Sequence, residues 1–258
     1  VAWTDPSPYH LALWAWLGLG VLAFAASMRL RAPYGRHTRG GWGPELDNRL
    51  AWFLMEVPVL VVFHAFFWTA AGPKTLPQWV FAGAFTFHYA YRALIYPWRL
   101  RTARKRMPWA VAGMAMLFNL GNGYFLGHGL GTPTPFFGDA PGADWPSANA
   151  WIGGLLFAAG WAMNYTADAY LIGLRRPGET GYRIPVHPLF RRVSCPNHAG
   201  EMLEWIGFAV LTAHPAAAVF AAWTILNVLP RSLAHHRWYR ERFPDYPPER
   251  KALVPGLL

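Results

Sequence analysis

Five apolar stretches, near 10–28, 50–71, 79–98, 108–128 and 150–174, and a sixth at 200–229, alternate with short arginine-rich segments. No other feature of the 258 residues restricts the fold as strongly. About 20 apolar residues carry a helix across the hydrocarbon core of a bilayer. The sixth stretch holds two short spans broken at His214-Pro215, each about 15 residues or ~23 Å at 1.5 Å per residue. Strands of any kind are hard to find, so the expected fold class is an all-α integral membrane protein.

Charge placement orients it. Twenty-one of the 23 basic residues fall in 29–49, 99–107, 175–198 and the tail from 231. The opposite loops carry Lys74 with Asp5, Asp139 and Asp144, and Arg92 lies within a span. The excess of arginine on one side predicts an amino terminus outside and a carboxyl terminus in the cytoplasm. That orientation needs an odd number of crossings, which makes the break at Pro215 necessary and the count seven.

Composition agrees. Charged residues are 14% of the chain, against about 25% in soluble domains. The net charge of +10 on a soluble protein would point to nucleic acid; here the positive residues sit between apolar runs. Fifteen tryptophans suit helix ends at membrane interfaces. The single cysteine, Cys195, allows no intrachain disulfide and no CxxC metal pattern, and no metal is expected. No basic residue precedes 11–28, which argues against a cleaved leader. No GxGxxG follows a strand, which excludes a Rossmann domain. The Pro/Gly-rich loop 129–149 is expected to be irregular. Residue usage rich in alanine, arginine and tryptophan points to a bacterial source and its inner membrane.

Ionisable groups within a span are costly unless paired or facing a cavity, so each is a functional candidate. Glu56 lies mid-span in RLAWFLMEVPVLVVF. Its plainest role is to pair with an arginine or histidine of the bundle, as Arg92 would neutralise an acid. The third span places His88, Arg92 and Tyr96 on one helix face, with Tyr89 beside them. In the fifth, Asn164, Asp168, Leu171 and Arg175 form a stripe descending to the cytoplasmic surface. A basic Pro/Gly loop follows, and the next helix opens with Asn197, Glu201 and Glu204. Those carboxylates favour the helix dipole and also offer ligand contacts. In the tail, Arg231, His235, Tyr239 and Arg242 share a face, either as snorkelling interfacial residues or as one wall of an anion pocket opposite a basic loop.

The motifs LRRPGETGYRIP (174–185), LFRRVSCPNHAGEMLEW (189–205) and RSLAHHRWYRERFPDYPPERKALVP (231–255) resemble those of the steroid 5α-reductases, the membrane 3-oxo-5α-steroid 4-dehydrogenases. AWFLMEVP (51–58), FHYAYR (87–92) and Gly121–Gly123 match in order upstream. The resemblance implies one reductase domain over 1–258. Helices of 1–128 would carry the steroid-carbonyl site, and 150–258 the NADPH-binding motifs. It implies that Glu56 and Tyr89 hold the steroid 3-carbonyl, with Trp52 and Phe118 also lining the steroid site. Asn164, Asp168, Arg175, Tyr182, Asn197, Glu201, Arg231, His235 and Tyr239 match cofactor-pocket positions. Two departures stand out. Met55 occupies the place where animal relatives carry glutamine, and the 97–106 loop matches only loosely.

The expected chemistry is hydride transfer to the β-carbon of an enone while charge develops on the carbonyl oxygen. Donors aimed at that oxygen in a dry site stabilise the transition state by ~3 kcal/mol each. Tyr89 donates directly; Glu56 donates when protonated, the form that burial in an apolar helix favours. NADPH should enter from the arginine-rich side and the steroid laterally from the bilayer. Arg175 and the 99–106 cluster are the candidates for the 2′-phosphate, which suits a forked guanidinium. Competing readings are a related enoyl or sterol reductase, an S-adenosylmethionine methyltransferase of lipophilic substrates, and a non-enzymatic transporter or lipid-binding bundle.

Overall fold

The computed structural model describes residues 7–30, 32–101, 105–133, 145–176, 178–179 and 181–258. The chain is an all-α membrane protein. Its helices are α1 (Pro8–Arg29), α2 (Asn48–Thr69), α3 (Leu76–Tyr89), the short α4 (Tyr96–Arg99), α5 (Trp109–Gly131), α6 (Ala148–Gly173), α7 (Pro196–Thr212) and α8 (Pro215–Arg242). By length and composition alone, α1, α2 and α8 are long and apolar enough to cross a membrane. Helix starts follow local chemistry. Asp47 caps α2 by accepting from the backbone N–H groups of Arg49 and Leu50 at 2.8 and 3.2 Å, satisfying donors a helix cannot satisfy itself.

Four elements differ from the sequence reading. The expected third span is not one regular helix: between α3 and α4 the backbone widens into a π-helical turn at Ala90–Ile95. Such turns recur at functional sites, and this one carries Arg92. The break near Pro215 exists, with Ala213 in the left-handed region at φ 47°. The last helix does not stop near 229, however. It runs through Pro230 to Arg242, so the basic tail face continues α8 and is not a separate interfacial helix. A small antiparallel pair, β1 (Glu45–Asp47) and β2 (Arg106–Pro108), joins two of the basic loops. Of the 129–149 loop, 129–131 belong to α5, and residues 134–144 lie outside the described residues, as do Arg31 and Arg104.

Glycine sets the helix spacing. Side chains on α6 and α7 give way to backbone contact. A Cβ at Gly153 or Gly160 would strike the backbone of Leu211 or Glu204, and one at Gly200 or Gly207 the backbone of α6. On α5, a Cβ at Gly127 would meet the backbone of Phe63. Close approach of this kind is the main attraction available between helices in lipid. Gly121 leaves room for the Trp16 ring of α1, whose Nε1 donates to Asn122 Oδ1 at 3.1 Å. The aromatic core of Phe63, Phe85, Phe208, Trp205 and Phe220 packs at this centre.

Gly207→Val should therefore cost at least the 1–3 kcal/mol of an overpacked core, read as a lower melting temperature in detergent. Gly154→Val, where a Cβ meets open space, should melt like wild type. Equal melting of both variants would contradict the packing described.

Candidate active site

One cavity of about 860 Å³ runs through the bundle, within the ~300–1,000 Å³ usual for ligand sites. Trp52, Glu56, Tyr89, Phe118, Asp168, Arg175, Tyr182, Asn197, Glu201, Arg231, His235 and Tyr239 all line it. Asn164 does not; it stands behind the wall, donating from Nδ2 to the Asn197 carbonyl at 2.9 Å. The α6 stripe thus turns away from the cavity at its upper end, because Asn164 faces α7 where Gly200 closes onto it.

The centre of the cavity is ionic. Arg92 Nε lies 3.5 Å from Glu56 Oε1, and its Nη1 lies 3.4 Å from Asp168 Oδ2. The guanidinium sits over the rings of Trp52 and Tyr96, at 4.7 and 4.5 Å, a desolvated cation–π arrangement. Asn119 Nδ2 donates to Glu56 Oε2 at 3.2 Å and to the Met55 carbonyl at 2.6 Å. Asn197 Nδ2 donates to Asp168 Oδ1 at 2.9 Å. Glu56 therefore has the arginine partner expected of it, on the residue expected to neutralise an acid. Tyr89 is buried against Phe85 and Trp205. Glu201 and Glu204 separate: Glu201 lines the cavity, while Glu204 is fully buried and holds His88.

The two ends of the cavity differ. At one end Trp16, Leu19 and Ala23 of α1 face Met114, Leu117 and Phe118 of α5. At the other, Arg36, Arg101, Arg175 and Arg231 line the wall. None of the four has a carboxylate within ion-pair distance among the described residues. Arg36 Nη1 is buried without a hydrogen-bond partner. Tyr182 is packed by three cations, with Arg175 and Lys105 each 4.4 Å and Arg36 5.4 Å from its ring centroid. Its hydroxyl pairs with Lys105 Nζ at 2.7 Å. A wall with this much uncompensated positive charge fits an anion such as the phosphates of a dinucleotide.

Cys195, His198 and His235 bring one ligand atom each within 4.8 Å of one another. Arg36 and Arg231 act electrostatically on both histidines and oppose a cation there. Burial pushes the Cys195 thiol up to about 12, so it stands as a protonated, unreactive side chain.

Sequence reasoning did not single out Arg36 or Asn119. Arg36 is one of several arginines in its loop, and only the fold turns it inward. Asn119 is a polar but uncharged residue within an apolar span, so a rule restricted to ionisable groups passes over it.

The chain is similar to known proteins over nearly its whole length. A family model described as 3-oxo-5-alpha-steroid 4-dehydrogenase matches residues 105–258. Steroid 5-alpha-reductase DET2 of Gossypium hirsutum is 38% identical over 98% of this chain and 99% of its own. The 3-oxo-5-alpha-steroid 4-dehydrogenase 1 of Rattus norvegicus is 35% identical over 93% of this chain and 92% of its own. The human protein of that name is 32% identical over 93% and 92%.

Arg92→Met would strand two buried carboxylates, and breaking such pairs costs about 3–5 kcal/mol. The variant should melt well below wild type in detergent. A melting temperature within a degree of wild type would show that Arg92 does not neutralise Glu56 and Asp168.

Proposed function

The chain belongs to the steroid 5α-reductase family, and from that premise we propose that it reduces the 4,5 double bond of 3-oxo-4-ene steroids to 5α-dihydro products, using NADPH. The observation that carries this reading is the single cavity joining Glu56 and Tyr89 to Asp168 and Arg231. NADPH, when bound, supplies the hydride. Arg36, Arg101, Arg175 and Arg231 would hold its phosphates, and Asp168, Asn197 and Glu201 offer polar contacts toward the centre.

Glu56 and Tyr89 hold the 3-carbonyl oxygen. A phenol donates to it directly, and Glu56, ion-paired with Arg92 in this structure, adds a second donor when it takes up a proton on ketone binding. Charge that develops on that oxygen in a dry site gains far more from fixed donors than it would in water. Asn119 fixes the carboxyl by holding Oε2 and the Met55 carbonyl together. Trp52 and Phe118 contribute apolar walls. The steroid enters laterally between α1 and α5, where Leu19, Met114 and Leu117 both line the cavity and face outward. The cofactor enters from the arginine-rich side.

This arrangement implies seven crossings, with α3 to α4 acting as one, an outer amino terminus and a cytoplasmic carboxyl terminus. We place the protein in the inner membrane of a bacterium.

The test is anaerobic NADPH oxidation in detergent with testosterone or progesterone. Wild type should consume NADPH stoichiometrically. Glu56→Ala should lower turnover ~100-fold or more, the effect of losing one donor to a developing oxyanion, with NADPH binding retained. Wild-type rates in that variant would remove Glu56 from the chemistry. Arg231→Ala and Asp168→Ala should each weaken NADPH about tenfold, as expected when a charge-assisted hydrogen bond is lost; unchanged affinity in both would discredit the assigned pocket.

A further inference from the structure

The roles assigned so far leave out His88 and Glu204. His88 Nδ1 lies 2.7 Å from Glu204 Oε1. Glu204 has no exposure at all, and its Oε2 has no hydrogen-bond partner among the described residues. A carboxyl buried with one oxygen unsatisfied is a costly way to join two helices. His88, in contrast, reaches the cavity wall. Glu204 therefore grips one edge of the ring from behind while the ring belongs to the site. The ring centroid of His88 is 4.9 Å from that of Tyr89 and 4.6 Å from that of Trp205. Glu56, on α2, lies within its electrostatic reach, and Arg92 follows in the π-helical turn after α3.

We propose that His88, oriented by Glu204, is the proton donor of this site, delivering a proton to the carbon between the carbonyl and the reduced carbon. The inference rests on the reductase reading above. Reducing an enone adds a hydride at the β-carbon and a proton at the α-carbon. With the electron pair supplied by a nicotinamide hydride, the new C–H bond forms at the β-carbon. The π pair moves toward the carbonyl carbon, and negative charge falls on the oxygen held by Glu56 and Tyr89. The Nε2–H bond of His88 then breaks, its electron pair stays on the ring, and the proton forms the C–H bond at the α-carbon. Nδ1–H remains directed at Glu204, and Nε2 regains a proton from bulk solvent once the product has left.

Position selects His88 for this task. The α-carbon is one bond from the carbonyl carbon, so its donor must stand beside the groups that hold the oxygen. Tyr89 is committed to the oxygen itself. A buried carboxyl group on the far nitrogen fixes the ring's orientation, as in other carboxylate–histidine pairs. Glu204 is a positioning residue; it does not reach the cavity.

The proton step can be read without hydride transfer. The purified protein is incubated in heavy water with a 5α-reduced 3-ketosteroid, and deuterium at carbon 4 is followed by mass spectrometry, with carbon 2 as internal reference. Wild type should accelerate exchange at carbon 4. His88→Gln should slow it ~100-fold or more, the usual contribution of a positioned acid–base group, with steroid binding, read by tryptophan fluorescence, within a few-fold of wild type. Glu204→Gln keeps the shape and the hydrogen-bond acceptor but loses the charge. It should slow exchange about tenfold without lowering the melting temperature, and it serves as the test if His88→Gln does not fold. Wild-type exchange in either folded variant, or no exchange in a wild type that turns over, overturns the proposal alone. A wild type that binds 3-oxo-4-ene steroids yet never oxidises NADPH sinks the reductase reading instead.

Discussion

One guanidinium shared by two buried carboxylates holds the site together. Arg92 reaches Glu56 on α2 in one direction and Asp168 on α6 in the other. Asn197 ties Asp168 to α7, and Asn119 ties Glu56 to α5. Four helices are thereby fixed about a single cation in an interior where an unpaired charge is costly. The group proposed to hold the ketone and the group proposed to face the cofactor share a counter-ion. Occupancy at one end therefore has an electrostatic route to the other. The π-helical turn makes this possible: it interrupts the regular helix at Ala90–Ile95, and so sets the direction in which Arg92 leaves the backbone.

Around this centre the bundle divides its chemistry. Glycine contacts on α6, α7 and α5 bring backbones together where side chains would keep them apart. The small size of these residues frees the remaining volume for one large cavity. Its apolar end is lined by α1 and α5, and its basic end by loops and by the long extension of α8. A lipophilic and a polyanionic ligand can meet inside such a cavity without either crossing the region suited to the other.

Much of this was legible in the residues. Long apolar runs between arginine clusters define a membrane bundle, and ionisable residues inside those runs mark the site, because the bilayer makes them costly anywhere else. That reasoning reached Glu56 and Asp168, the periodicity of the basic tail reached Arg231, and the family resemblance singled out Tyr89; all four line one cavity. Helix periodicity failed where the backbone departs from 3.6 residues per turn, as at Ala90–Ile95, and where proline does not end a helix, as at Pro230. The resemblance set Asn164 in the cofactor pocket, but spacing names a helix face and not what covers it, and the structure turns Asn164 to α7 behind the wall. Glu201 and Glu204 were paired on spacing alone, and the structure separates them: Glu201 lines the cavity and Glu204 holds His88. Arg36 comes from a loop far in sequence from Arg101, Arg175 and Arg231, and no local signal shows it turning inward.

The central claim is that a hydride reaches carbon 5 of a steroid whose ketone is held at the Glu56–Tyr89 end of the cavity. Its most direct test uses NADPH carrying deuterium at the transferable position of the nicotinamide, with mass and NMR analysis of the steroid product. The account predicts one deuterium at carbon 5, on the α face, with the 3-ketone intact. Label at carbon 3 of an alcohol, or a reduced product without label, would contradict it.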